Sequence, residues 1–207
     1  MTTTRWWWVR HAPVTATGGR IYGQDDPPCD TSDRTTFSAL AALLPKRAVL
    51  VTSHLQRTRQ TADAIRAAGR DLPEPIVEPA VAEQNFGDWQ GRTRAEVFAE
   101  LGARHAFWLA PAHSRPPGGE TFAELIQRVR AAVTRLTRDN RGRDIVCVAH
   151  GGSIRAALGL ALGLDPEQAF AFAIDNCSLT RIDHLEGTAD DPRDHWIVVR
   201  VNQVATA

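Results

Sequence analysis

Two histidines in this chain sit where a folded sheet delivers side chains to a ligand. Val9-Arg10-His11-Ala12-Pro13 ends an apolar run, Trp6-Trp7-Trp8-Val9, whose aromatic and β-branched residues read as a buried strand. Pro13 cannot continue a ladder, so Arg10 and His11 stand at the strand's exit. Asp144-Ile145-Val146-Cys147-Val148-Ala149 repeats the pattern and runs into His150-Gly151-Gly152. Open α/β sheets bind ligands beyond the C-terminal ends of their strands. A neutral imidazole is a nucleophile when one ring nitrogen is free and the other is held by an acceptor, here a nearby backbone carbonyl. A guanidinium offers forked donors to an oxyanion, and the amides of Gly151 and Gly152, opening a helix, form a natural anion site. These residue types point to phosphate handling.

The elements that position them follow from pattern and punctuation. After the first strand, residues 15 to 30 form a long loop rich in Gly, Pro and Asp, and a loop of that length in a folded domain usually has a function. The pattern predicts helices over about 33–44, 53–68, 93–101, 121–138 and 151–163. Pro45 stops the first, and capping boxes open two others, Thr93 with Glu96 and Thr121 with Glu124. Ser53 is placed as a helix-start hydroxyl. Strands are predicted at 48–52, 76–78 and 144–149, and strand-like runs at 170–174, 178–183 and 196–201. A further turn is expected from Arg104 to Ala110, ended by Pro111. Glu83 to Gly91 reads as a loop in which Phe86 and Trp89 pack, and Gly118-Gly119 as a turn near the site's mouth. Strands alternating with helices imply an α/β sandwich around a mainly parallel sheet.

Composition narrows the partners. The 207 residues suit one domain with a sizeable core. Lys+Arg and Asp+Glu both number 24, so no global field draws the chain to nucleic acid or membrane. Three cysteines at wide spacing, Cys29, Cys147 and Cys177, fit neither a disulfide framework nor a zinc site and suit a reducing cytoplasm. No run reaches transmembrane length, and the N-terminal aromatic run is too short for a signal peptide. A cytoplasmic location is therefore expected. His54, His105, His113, His184 and His195 lack metal-like spacing.

Five ordered blocks carry a resemblance. They are Arg10-His11 with a small residue at 12; Ser53-x-Leu55-x-Arg57 with Thr61-Ala62; Glu83 ahead of Phe86-Gly87-x-Trp89-x-Gly91; Pro117-Gly118-Gly119-Glu120; and Val148-Ala149-His150-Gly151-Gly152. Together they resemble the histidine phosphatase superfamily, also called phosphoglycerate mutase-like, from about residue 5 to 160. The resemblance implies a three-layer sandwich, with a single domain over 1–207 and a small cap from about 92–120. It implies that His11 attacks phosphorus to form a phosphohistidine, that Arg10, Arg57 and His150 bind the phosphoryl oxygens, and that Glu83 protonates the leaving oxygen; on chemical grounds a protonated His150 adds a donor beside the Gly151 amide. It implies no metal and no other cofactor.

Ala12 stands where this family usually has Gly, and fits only if φ there is negative. Thr17 stands where many members place an Asn against phosphate, and would offer a hydroxyl instead. Trp108-x-x-Pro111 followed by Pro117-Gly118-Gly119-Glu120-Thr121-Phe122 looks like α-ribazole phosphatases and related monoesterases, without the longer basic insertion of phosphoglycerate mutases. The expected activity is hydrolysis of a small phosphorylated metabolite, with α-ribazole 5′-phosphate one substrate. The rival readings are a mutase or sugar-bisphosphate phosphatase, and a phospho-ligand or phosphoprotein binding module with weak turnover. A homodimer is left open. Arg20, Arg92 and Arg115 read as ordinary surface arginines.

Overall fold

The tryptophan run does become the centre of a sheet. In the computed structural model, which describes residues 2–102, 105–106 and 108–205, strand β1 spans Thr3–Arg10. After it come helix α1 (Arg34–Leu43), β2 (Val49–Thr52), α2 (Gln56–Ala67), β3 (Ile76–Val77), α3 (Arg94–Leu101), α4 (Phe122–Asp139), β4 (Asp144–Ala149), α5 (Gly151–Leu162), β5 (Ser178–Leu185) and β6 (His195–Val204). The sheet order is β3-β2-β4-β1-β5-β6. The first four strands pair in parallel, while β5 and β6 are antiparallel additions at one edge.

Alternation along β1 divides its side chains between two cores. Trp6 and Trp8, stacked 5.1 Å apart, face the layer made by α4 and α5. Val9 faces α1 and α2. Trp6 keeps its indole N–H satisfied on Thr137 Oγ1 at 2.9 Å. The result is the expected three-layer arrangement, helix, sheet, helix.

Local signals set most boundaries. Asp33 caps α1 through the Thr36 amide, and the two capping boxes at Thr93 and Thr121 are both formed. Gly163 ends α5 in the left-handed region. One predicted strand is absent. Residues 170–174 are no strand; a 3-10 turn spans Gln168–Ala171. Asp165 folds this stretch back, its carbonyl accepting from Gln168 and Ala169 and its carboxylate from Glu167. Phe170 then packs 4.2 Å from the Phe122 ring. A short apolar run signals burial, and burial alone does not specify a strand. The turn expected over 104–110 falls partly on Arg104 and Phe107, which lie outside the described residues.

Candidate active site

Strand register brings the two histidines together. In the parallel pair β1/β4, Arg10 stands opposite Ala149, and the His11 amide donates to the Ala149 carbonyl at 3.0 Å. The next residue of each strand is therefore a histidine, and the ring centroids lie 5.1 Å apart. On the other flank of β4, Thr52 pairs with Val148. That places Ser53 beside His150, with Oγ 2.8 Å from Nε2. Both imidazoles are buried.

Each ring has a defined donor and acceptor. His11 Nδ1 lies 2.7 Å from the Ala12 carbonyl, which can only accept, so Nδ1 carries the proton and Nε2 keeps its lone pair. Burial, with Arg57 and Arg10 adding to it, holds His11 well below the usual imidazole range. It is neutral at pH 7. Thr58 donates its hydroxyl proton to the Leu55 carbonyl and Leu55 donates its amide to Ser53 Oγ. Ser53 is thus free to donate to His150 Nε2, leaving a proton on Nδ1. Ser53 was expected to open a helix; Leu55 is the N-cap of α2, and the Asp26 carboxylate accepts from the Gln56 amide at 2.8 Å.

The protonated His150 expected from the sequence is corrected by its surroundings. Burial first, then Arg57, His11 and Arg10, hold it well below the usual range. A neutral His150 still offers one N–H, at Nδ1.

Arg57, in the first turn of α2, is fully buried. Its terminal nitrogens donate to Asp25 and Gly23 carbonyls at 2.8 and 2.6 Å, so the long 15–30 loop is what fixes it. Arg10 donates to the Ile174 carbonyl at 2.6 Å. Three buried donors among the described residues have no protein partner here: Arg10 Nε, Arg57 Nε and His150 Nδ1. Buried N–H groups are rarely left without an acceptor; a cluster of them is suited to an anion. Ala12 is accommodated as required: its φ is not positive, and its amide donates to Thr61 Oγ1 at 2.8 Å.

Glu83 reaches this floor from a separate segment. Its Oε1 accepts from the Gly152 amide at 3.1 Å and from Gln84 at 3.0 Å. A Cβ on Gly152 would stand 2.2 Å from that oxygen, so glycine is required for the carboxylate to lie on the start of α5. The Glu83 loop is held by a residue the sequence reading passed over. Arg128 on α4 donates to the Ala80, Ala82 and Glu83 carbonyls and pairs with Glu120 at 2.6 Å. Glu120 in turn accepts from the Asn85 amide. Gly119 is more than a turn: its backbone packs so closely on Asn85 that a Cβ would meet the Asn85 carbonyl at 2.5 Å.

Above the floor opens a cleft of about 380 Å³. Arg10, Thr17, Glu83 and Gly151 are among the residues that line it. Tyr22, Arg94, Trp108 and Arg155 line it as well, and none of these was singled out as a ligand contact. Arg20 also reaches it, whereas Arg92 and Arg115 are engaged by Glu100 and Glu124. Among the described residues, no three His, Cys, Asp or Glu side chains cluster as a metal site would need, and no helix is long and apolar enough to cross a membrane.

Comparison with known proteins agrees with this geometry. The chain is 32% identical over 184 residues to the bifunctional protein Rv2228c of Mycobacterium tuberculosis, covering 86% of this chain and 50% of that one. It thus spans about half the length of the first curated relatives it matches. It is 34% identical over 155 residues to the glucosyl-3-phosphoglycerate phosphatase of M. tuberculosis, covering 70% and 68% of the two chains. It is 28% identical over 190 residues to the adenosylcobalamin/alpha-ribazole phosphatase of Salmonella typhimurium, covering 89% and 93%. Among solved structures, a mycobacterial hydrolase superposes with a TM-score of 0.83 at 28% identity, over 100% of this chain and 94% of that one. The model of the histidine phosphatase superfamily, branch 1, matches residues 6–192, and the chain belongs to that family.

Proposed function

We propose that the protein hydrolyses small phosphomonoesters in two displacements at phosphorus. His11 Nε2 attacks, the P–N bond forms and the ester P–O bond breaks; the proton from Glu83 goes to the leaving oxygen. Water then attacks the phosphohistidine, Glu83 takes its proton, the P–N bond breaks and inorganic phosphate leaves. Catalysis of this kind rests on donors fixed in advance around the charged equatorial oxygens. Arg10, Arg57, His150 Nδ1–H and the Gly151 amide fill that role, together with the Thr17 hydroxyl. The observation that carries this reading is the cluster of unpartnered buried donors around a neutral imidazole whose free nitrogen is fixed by the Ala12 carbonyl.

The substrate is read as a small phosphorylated metabolite. The Trp108 to Phe122 segment supports α-ribazole 5′-phosphate, and the Trp108 ring lines the cleft. The similarity to glucosyl-3-phosphoglycerate phosphatase supports a glycosylated phosphoglycerate instead. A panel of metabolite phosphates separates these and also tests the reaction. Inorganic phosphate and alcohol released in equal amounts support hydrolysis. Transfer to a second substrate molecule without free phosphate would make the protein a mutase, and binding without turnover a phospho-ligand module.

A further inference from the structure

The two oxygens of Glu83 are chemically alike until their neighbours tell them apart. The Gly152 amide is shared between them, 3.1 Å from Oε1 and 3.3 Å from Oε2. The Gln84 amide is given to Oε1 alone, at 3.0 Å. A carboxyl group whose one oxygen accepts two N–H groups keeps its proton on the other, because an O–H at the first would face donors. Oε2 is therefore the oxygen that delivers the proton, and the peptide joining Glu83 to Gln84 makes the choice. Gln24 and Arg128 hold the carbonyl end of that peptide, both at 2.9 Å.

The amide end is held through the Gln84 side chain from the far side of the cleft. Gln84 is buried, and its side-chain amide has one orientation. The Trp108 indole N–H, which can only donate, reaches Oε1 of Gln84 at 2.8 Å, while the Glu120 carbonyl, which can only accept, takes Nε2 at 2.8 Å. Trp108 is itself fixed at its backbone and its ring. Its amide donates to His105 Nδ1 at 3.0 Å, so that nitrogen carries no proton and His105 Nε2 donates to the Glu167 carboxylate. The other oxygen of Glu167 accepts from the Ala112 amide at 2.8 Å. The indole lies on Phe170, with 5.4 Å between centroids and 18° between planes, and it lines the cleft.

We infer that Trp108 and Gln84 are positioning residues for the general acid. The hydrogen bond between them sets the peptide that assigns the proton to Glu83 Oε2, so a residue that lines the cleft also orients the proton donor. A leaving group that shifts the indole shifts the acid with it, and selectivity at Trp108 is then read out in kcat and not in KM alone. The inference rests on the phosphatase reading of Glu83.

A double-mutant cycle tests it. Trp108→Phe keeps a ring on Phe170 and removes the indole N–H. Gln84→Met keeps the length of the side chain and removes its polar atoms. Each is made alone and in Glu83→Gln, and kcat and KM are measured on glycerol 3-phosphate and p-nitrophenyl phosphate, an alkyl and an aryl ester. Each single variant should lower the alkyl-to-aryl ratio of kcat about fivefold, the scale of one hydrogen bond. In Glu83→Gln neither should lower it further, since the group they position is gone. A ratio kept by both variants, with the loss confined to KM, would leave Trp108 as cleft lining only and overturn the inference. So would an equal further fall in Glu83→Gln, which would place their effect outside the acid. If Gln84→Met fails to fold, Trp108→Phe decides. If Glu83→Gln alone leaves the ratio unchanged, or the wild-type protein turns over neither ester, the phosphatase reading of Glu83 fails and this inference falls with it.

Discussion

The floor of the cleft and its rim are built by different means. Register in a parallel sheet produces the floor: once β1 and β4 pair as they do, His11 and His150 must be neighbours. His11, Arg57 and His150 are buried, and each conformation is fixed by a backbone group or a hydroxyl. The rim is lined by residues of the 15–30 loop, by Phe86, Arg94, Trp108 and Leu109, and by Arg155 of α5. Glu83 reaches the floor from its own loop, held by Arg128, Glu120 and a glycine without which it would not fit. The lesson is a division of labour. The floor suits a reaction common to many phosphomonoesters, and the rim suits a choice among them.

Perturbing each region in turn should separate the two. If His11 is the proposed nucleophile, His11→Ala should lower kcat by roughly 10⁴-fold or more on every substrate, measured by phosphate release. Arg57→Ala should cost about 10²–10³ in kcat, the scale of one lost transition-state donor, again regardless of the alcohol. Loss confined to one substrate would move Arg57 from floor to rim.

Glu83→Gln should cost about a hundredfold on alkyl phosphates and much less on aryl phosphates, whose leaving oxygens need little help. Gly152→Ala should reproduce that selectivity by displacing the carboxylate, with binding of inorganic phosphate largely kept. Equal losses on both substrate types would remove Glu83 from the acid role. Ser53→Ala should cost about tenfold, one hydrogen bond's worth, by releasing the tautomer of His150.

The pH dependence follows from the lowered histidines. Folded His11 and His150 bind protons only well below the ordinary range, while in the unfolded chain they titrate near 6.5. Below pH 6.5 the unfolded state therefore holds more protons, and stability rises with pH through that window and levels off above it. The acid limb of kcat/KM should likewise lie below pH 6.5. A limb centred above 6.5, or stability that falls as pH rises from 5 to 6.5, would contradict the neutral floor.

Much of the floor was legible in the sequence because its signals are local. Trp6 to Val9 and Ile145 to Ala149 announced buried strands by residue type, and the glycines after His150 announced a helix start. The capping boxes at Thr93 and Thr121 fixed two helix origins from four residues each. The misreadings have a common cause in contacts distant along the chain. Ser53 looked like a helix cap because its partner, His150, lies 97 residues away. His150 was expected to be charged because the burial that discharges it leaves no mark in the neighbouring residues. Phe170 to Ile174 has strand composition, yet Asp165 and the Phe122 ring bend it into a turn. Arg128 and Arg155 resemble every other arginine of an arginine-rich chain until their partners are seen in three dimensions.

The central claim is that His11 Nε2 takes the phosphoryl group. Rapid mixing with a ³²P-labelled phosphomonoester, followed by an alkaline quench and peptide mapping, tests it most directly. A phosphohistidine at His11 gives a label that survives base, is lost in acid, forms before phosphate is released and maps to His11. Full turnover with no such label, or label on another residue, would contradict it.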